Sequence, residues 1–521
     1  TITPGSVVNQ NNSHQVAIVD SLTNNGTWNV NGFNIPTTIT LSGTSTSLTG
    51  DGEMVLSNTT LNQVSAPGAT LLNDTNHTIR GAGNLLLDNS GMTNNGTILA
   101  QGSIALTINP DATGFSNLGT LRAEGTGGLV FGDGTFELNA TTVEVLDGSK
   151  LQTSNGTTIA NGSLSTQGTG VINLETATTL DNITLDNASL TRVGNADTVT
   201  IANGLTNNGR LEVNGFNIPT TLSFDGSQTI SGTGEIAYSN SSLNRLIASS
   251  GSTITNAAGH TISGVIPTFL ANDAGMINHG TIIVTTTSGI TIDPDANGFI
   301  NTATGTMGGI GRFTMTDGTL DSDGTLSPGF DDDNRGTLNI IGDVNTSATS
   351  LLDLSLGQEA PANGSDRLII DGNLDLAGTL DLTFVAGFAG TASNPHRIVT
   401  ADSITGNFDS VTINNIELDS LVTIIQTATT IDVALDVLLG DANLDGTVDL
   451  IDLSILATNF GGTGPFLFTD ADFNFDDAVD LIDLSILAAN FGTSIPVPEP
   501  TTATALTLLA LTTTRRRRNV A

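Results

Sequence analysis

Short stretches of alternating apolar and polar residues recur along most of the chain, and an Asn/Gly turn opens each one. Examples are "NNGTWNV" from Asn24, "NNGTILA" from Asn94, "NLGTLRA" from Asn117, "NNGRLEV" from Asn207 and "NHGTIIV" from Asn278. A period of two sends Val, Ile and Leu to one face of a strand and Thr or Asn to the other. Asn and Gly tolerate the left-handed backbone of tight corners. A strand of four or five residues cannot bury its own face, so such units must stack as the rungs of a solenoid. The Asn residues are expected at its corners and in ladders along its interior.

The rungs belong to a larger repeat. "LTNNGTWNVNGFNIPTTITLSG" from Leu22 returns as "LTNNGRLEVNGFNIPTTLSFDG" from Leu205, a shift of 183 positions. His77 then pairs with His260, "GMTNNGTI" at Gly91 with "GMINHGTI" at Gly275, and "NPDATGF" at Asn109 with "DPDANGF" at Asp293, the last two at a shift of 184. The two copies cover about 22–122 and 205–313, inside a solenoid expected over 1–317. Because His77 and His260 precede the same "TI" strand, they read as rung positions. The other histidines, at 14, 279 and 396, are scattered.

Composition narrows the reading. With 60 Gly, 4% aromatic residues and one Trp in 521 residues, the chain lacks the large side chains of several compact cores. Its mean hydropathy of +0.11 is too apolar for a disordered chain. Fourteen basic residues against 51 acidic ones give a net charge of -37, which disfavours nucleic acid and anionic membrane surfaces and makes calcium the natural counter-ion. The absence of Cys excludes disulfides and thiolate chemistry. The sequence starts at Thr1 with no charged and apolar leader, so any export signal is expected to have been removed.

From about Gly318 to Leu435 the pattern changes to "GTLSPGFDDDNRGTLNIIGDV", "DRLIIDGNLDLAGTLDLTFVAGF" and "HRIVTADSITGNFDSV". This order resembles the C-terminal passenger region of autotransporter-type β-helix proteins. The resemblance implies a right-handed parallel β-helix, with 318–436 as its capping end. No translocating barrel follows in this sequence, so that export mechanism is not carried over. The cluster Asp331 to Arg335 reads as a solvated Gly/Pro turn.

Beyond it, Asp441, Asn443, Asp445, Thr447, Asp449 and Asp452 fall at positions 1, 3, 5, 7, 9 and 12 of a twelve-residue loop, with Gly446 at the sharp turn. That spacing matches an EF-hand-type calcium loop, in which the main-chain carbonyl serves at position 7. It repeats 31 residues on as Asp472, Asn474, Asp476, Ala478, Asp480 and Asp483, with Asp477 in place of the glycine. Both loops end in Asp rather than Glu, which shortens the twelfth ligand. Each runs into an apolar helix, with Ile451, Ile455, Leu456 and Phe460 recurring as Ile482, Ile486, Leu487 and Phe491. Gly461 and Gly492 lie where a helix ends. "TTIDVALDVLL" before Asp441 alternates like a last strand, so no helix enters the first loop.

A loop followed by one helix, present twice, resembles the type I dockerin domain over 437–494. The resemblance implies two structural Ca2+ ions and a cohesin-like partner. Where dockerins often carry a polar or small contact pair, this chain has Leu450-Ile451 and Leu481-Ile482. Ten Asp and no Lys, Arg or Glu lie between Gly440 and Gly492, so the metal-free form is expected to repel itself.

The last segment, 495–521, contains Val497, Pro498, Glu499 and Pro500, then an apolar Thr-rich stretch, then Arg515, Arg516, Arg517 and Arg518. This order resembles the PEP-CTERM sorting signal and implies an exosortase-type processing enzyme. The 14 residues from Thr501 to Thr514 fall short of the roughly 20 that span a bilayer, so transient membrane contact is expected, with the Arg run held at the cytoplasmic side.

The expected fold is mainly β, a right-handed parallel β-helix (β-solenoid) with a small EF-hand-like helical module and a sorting tail. The expected function is structural or adhesive, at the surface or in the extracellular matrix of a bacterial cell, with a cohesin-like domain or an extracellular polysaccharide as partner. The alternative is a polysaccharide-active lyase or hydrolase on the same β-helix, tethered through its dockerin-like module. No catalytic residue is assigned.

Overall fold

The computed structural model describes residues 1–494 except 88–89, 111, 272–273, 287–288, 293–297, 330–334, 358–363, 386–387, 389, 392–393, 415–421, 463 and 465. Asp331 to Asn334 and the sorting tail therefore lie outside the described residues. The chain divides into two compact units. One comprises 1–354, 366–381 and 399–412; the other comprises 355–365, 382–398 and 413–521.

The first unit is a parallel β-solenoid, and the chain makes about 14 turns in all. Most rungs hold three short strands, so strand n pairs in register with strand n+3 or its equivalent one turn later. Trp28, for example, lies over Met54, Met54 over Ile79, Ile79 over Ile98 and Ile98 over Leu121. Three parallel ladders result. The alternating sequence is realised literally: Thr97–Ala100, Thr120–Ala123 and Thr281–Val284 each bury every second residue. Stacked Leu, Ile, Val and Phe fill the interior, where Phe115, Phe131 and Phe136 form one aromatic cluster. The stacking continues across residue 317, since Gly311–Ser322 pairs with Thr337–Thr346 and that strand with Arg367–Leu376.

In the middle of the unit, strands Thr157–Thr166, Ala177–Leu185 and Thr198–Asn207 run around a corner without a loop. One asparagine in each makes the bend in left-handed conformation: Asn161 (φ 54), Asn182 (φ 53) and Asn203 (φ 54). These short rungs change the phase of the duplication. The second copy is displaced by eight rungs and one further face, so "TWNV" and its counterpart "RLEV" sit on different ladders. The first continues through Glu53–Leu56 towards Gln228–Ser231, and the second lies over Leu190–Val193.

Interior asparagines form the expected ladders. Asn73 donates to Asn94 (2.8 Å), Asn94 to Asn117 (2.8 Å) and Asn117 to Thr141 (2.6 Å). The second copy repeats this as Asn256 to Asn278 (2.8 Å), Asn278 to Asn301 (2.9 Å) and Asn301 to Ser322 (3.0 Å). His77 and His260, both wholly buried, continue the ladders, each 2.7 Å from the Oδ1 of Asn73 or Asn256. Buried amides need such partners, because each unmade bond costs about 1–3 kcal/mol.

The second unit contains the antiparallel hairpin of Val422–Gln426 and Thr430–Leu435, pinned by Arg397 Nε on Asp432 Oδ1 at 2.8 Å. The acidic repeats follow the hairpin, with two helices, α1 (Leu450–Asn459) and α2 (Leu481–Asn490).

Candidate metal centre

Each acidic repeat folds around its own carboxylates. In the first, Asp441 accepts the N–H groups of Asp445 (3.2 Å) and Gly446 (2.7 Å), closing the loop onto its first residue. Leu444 (φ 57) and Gly446 (φ 83) take the left-handed turn that brings this about. Asp472 does the same in the second repeat with Asp476 (3.2 Å) and Asp477 (2.9 Å). Asp477 adopts φ 63 where the first loop has glycine, so the replacement keeps the turn.

The residues at positions 9 and 12 also start the helices. Asp449 caps α1 by accepting from Ile451 N–H at 2.7 Å, while Asp452 reaches back to the N–H of Asp449 at 2.8 Å and of Asn443 at 3.2 Å. Asp480 caps α2 through Ile482 (2.6 Å), and Asp483 holds the N–H groups of Asp480 (2.9 Å) and Phe473 (2.8 Å). This capping box ties loop closure to helix initiation in both repeats. Asp452 and Asp483 are completely buried.

At position 3 the repeats differ. Both amides donate to the carboxylate at position 5, Asn443 to Asp445 (2.9 Å) and Asn474 to Asp476 (2.8 Å), but Asn443 Oδ1 also accepts the N–H of Asp445 at 3.0 Å, whereas Asn474 Oδ1 is buried without a hydrogen-bond partner. At position 7, Thr447 and Ala478 direct their N–H groups at Asp445 and Asp476, both at 3.0 Å.

Carboxylate oxygens of Asp472, Asp476 and Asp483 lie within 4.8 Å of one another. Burial, reinforced by neighbouring carboxylates, raises the pKa of Asp441, Asp472 and Asp483 above the usual carboxylate range, and that of Asp472 is pushed up to about 6. Three converging acids and an orphaned amide oxygen form an all-oxygen donor set, which suits a hard divalent cation. The second loop rests on an aromatic cluster, with Phe468 packed edge-on to Phe473 and close to Phe475. The run "FLFTDADFNF" in a chain with 4% aromatic residues is the sequence signal for that cluster.

The two repeats are cross-linked. Gly461, after α1, donates to the carbonyl of Val479 in the second loop (2.8 Å), and Gly492, after α2, to that of Val448 in the first (2.8 Å). Both glycines adopt positive φ, at the helix ends the sequence indicates. Of the apolar helix positions, only Leu456 and Leu487 are buried. Leu450, Ile451, Phe460, Leu481, Ile482 and Phe491 are exposed, because each helix meets its neighbours along a single narrow line.

Comparison with known proteins finds no matching family model. Over 68 residues the chain is 44% identical to the adhesin BmaC autotransporter of Brucella suis biovar 1 (strain 1330), which amounts to 13% of this chain and 2% of that protein. The chain thus joins an autotransporter-like parallel β-helix region to paired acidic loop–helix repeats. No helix among the described residues is long and apolar enough to cross a membrane.

Proposed function

We propose that this protein is a structural or adhesive component of a bacterial cell surface or extracellular matrix, built on a right-handed β-helix. Its paired repeats act as a dockerin-like module stabilised by two calcium ions, one held by Asp441, Asn443, Asp445, Thr447, Asp449 and Asp452, the other by Asp472, Asn474, Asp476, Ala478, Asp480 and Asp483. The PEP-CTERM-like tail directs sorting by an exosortase-type enzyme. Support for the adhesive role comes from the β-solenoid together with the similarity to an adhesin autotransporter.

The observation that carries the calcium reading is the convergence of Asp472, Asp476 and Asp483 beside the unpartnered Oδ1 of Asn474. Calcium would supply positive charge to carboxylates that otherwise repel one another. In each loop the aspartates at positions 9 and 12 also cap the following helix, Asp449 and Asp452 for α1 and Asp480 and Asp483 for α2, so the ions' effect extends beyond the loops to the α1–α2 pair, whose exposed Leu450-Ile451 and Leu481-Ile482 offer apolar contacts to a cohesin-like domain. Cell fractionation with and without a chelator tests the whole reading. The protein is expected in the surface fraction and is expected to leave it when calcium is removed; a cytoplasmic protein indifferent to chelator would overturn it.

A further inference from the structure

Both copies of the duplication carry the run "VNGFNIPTT", and in both it forms a projecting loop. The Oδ1 of Asn12 accepts the N–H groups of Phe33 (3.0 Å), Asn34 (3.2 Å) and Ile35 (3.1 Å), while Asn62 Oδ1 holds Gly32 N–H at 2.8 Å. In the second copy Asn195 receives Phe216 (2.8 Å), Asn217 (3.0 Å) and Ile218 (3.2 Å), and Asn244 holds Gly215 (2.9 Å). With the N–H groups turned inward, the side chains face water: Phe33 and Phe216 are each 81% exposed, and Ile35 and Ile218 about half. Large apolar side chains held out on a rigid loop are an interaction feature rather than a packing one.

Three observations bear on the occupant. Outward positions on the adjoining strand have diverged, Thr27 to Arg210 and Asn29 to Glu212, yet the exposed Phe and Ile are unchanged. The loops also stand in surroundings without an unpaired charge. Residues 9–14, 31–38 and 57–62 include no Asp, Glu, Lys or Arg, and the equivalent segments 192–197, 214–221 and 239–244 include only Asp197, which binds the N–H of Thr176, and Arg192, which is ion-paired with Glu212 at 2.9 Å. In a chain of net charge -37, a neutral apolar patch is where a second copy of the same acidic chain can approach without repulsion. Finally, the loops adjoin the same ladder at well-separated rungs. The first precedes strand Thr37–Thr49, and the second follows strand Arg210–Val213, eight rungs further along. At about 4.8 Å per rung that is roughly 40 Å, on a different corner. A single partner loop cannot reach both.

We infer that these loops are self-association sites, through which each copy of the chain binds two others, loop against loop. An identical knob on each side makes the contact isologous. It is small, well below the roughly 1,000 Å² of a stable interface, so association is weak for one pair and strengthens with crowding and multiple contacts. The inference rests on the solenoid alone and does not depend on the calcium reading.

Sedimentation velocity of the full chain over a range of concentrations, in calcium-containing buffer, tests it. The unmodified protein is expected to form species beyond the dimer. Phe33→Ser or Phe216→Ser alone should stop at dimers, and the double variant should stay monomeric with an unchanged circular dichroism spectrum. A wild-type chain that remains monomeric at the highest concentration overturns the proposal, as does a double variant that associates like wild type. A monomeric wild type retained on a neutral polysaccharide through Phe33 and Phe216 would overturn it in favour of glycan binding.

Discussion

The side-chain amide of Asn24 donates to Nε2 of His77 at 3.3 Å, and Asn207 donates to Nε2 of His260 at 3.1 Å. An amide nitrogen can only donate, so both imidazoles are neutral, with the proton on the Nδ1 that faces Asn73 or Asn256. Each ring plugs a gap in its asparagine ladder, spanning 53 residues of sequence to do so.

Acid should therefore loosen the solenoid. Burial lowers the pKa of both histidines from 6.5 to about 4, partly offset at His77 by Asp74. The unfolded chain takes up these protons first, so stability is full above pH 6.5 and falls as pH drops towards 4. The loss is about 2 kcal/mol per histidine at pH 5 and roughly 3 at pH 4. Denaturant unfolding followed by the single tryptophan, Trp28, reports on the first copy. Its stability at pH 5 should fall below that at pH 7, and His77→Gln should remove most of the difference.

The interior ladder should matter far more than the corner ladder. Asn94→Ala deletes bonds to Asn73, Asn117 and the Thr120 carbonyl and strands buried partners, costing about 3 kcal/mol. Asn182 is exposed on its corner and donates only to Asn161, so Asn182→Gly, which keeps the left-handed turn, should cost about 1 kcal/mol or less. Equal melting temperatures for the two variants would contradict this account of the core.

Much of this architecture is legible in the sequence because its physics is local. A two-residue period, Asn/Gly corners and a twelve-residue oxygen pattern each specify a backbone within one rung or loop. The one-face offset between the copies is not legible, because it depends on bends at Asn161, Asn182 and Asn203 that look like ordinary turns. The shared "TI" context places His77 and His260 in a rung, but their role as ladder plugs needs partners 53 residues away. The orphaned Asn474 Oδ1 and the outward-facing Ile451 and Phe460 likewise follow from tertiary packing, which a helical repeat pattern does not encode.

Processing of the tail gives a separate prediction. If a sorting enzyme acts near Pro498-Glu499-Pro500, intact-mass analysis of the protein recovered from cells should lack Arg515 to Arg518. A mature chain that retains the Arg run would remove the sorting assignment and leave the solenoid account untouched.

On the proposed reading, the paired acidic loops bind calcium and fold by doing so. Isothermal titration of calcium into the chelator-stripped full chain tests it most directly. Two ions per chain are predicted, falling to one in Asp452→Ala or Asp483→Ala and to none in the double variant, with loss of helical circular dichroism. No binding heat, or binding unchanged when both aspartates are replaced, would contradict the claim.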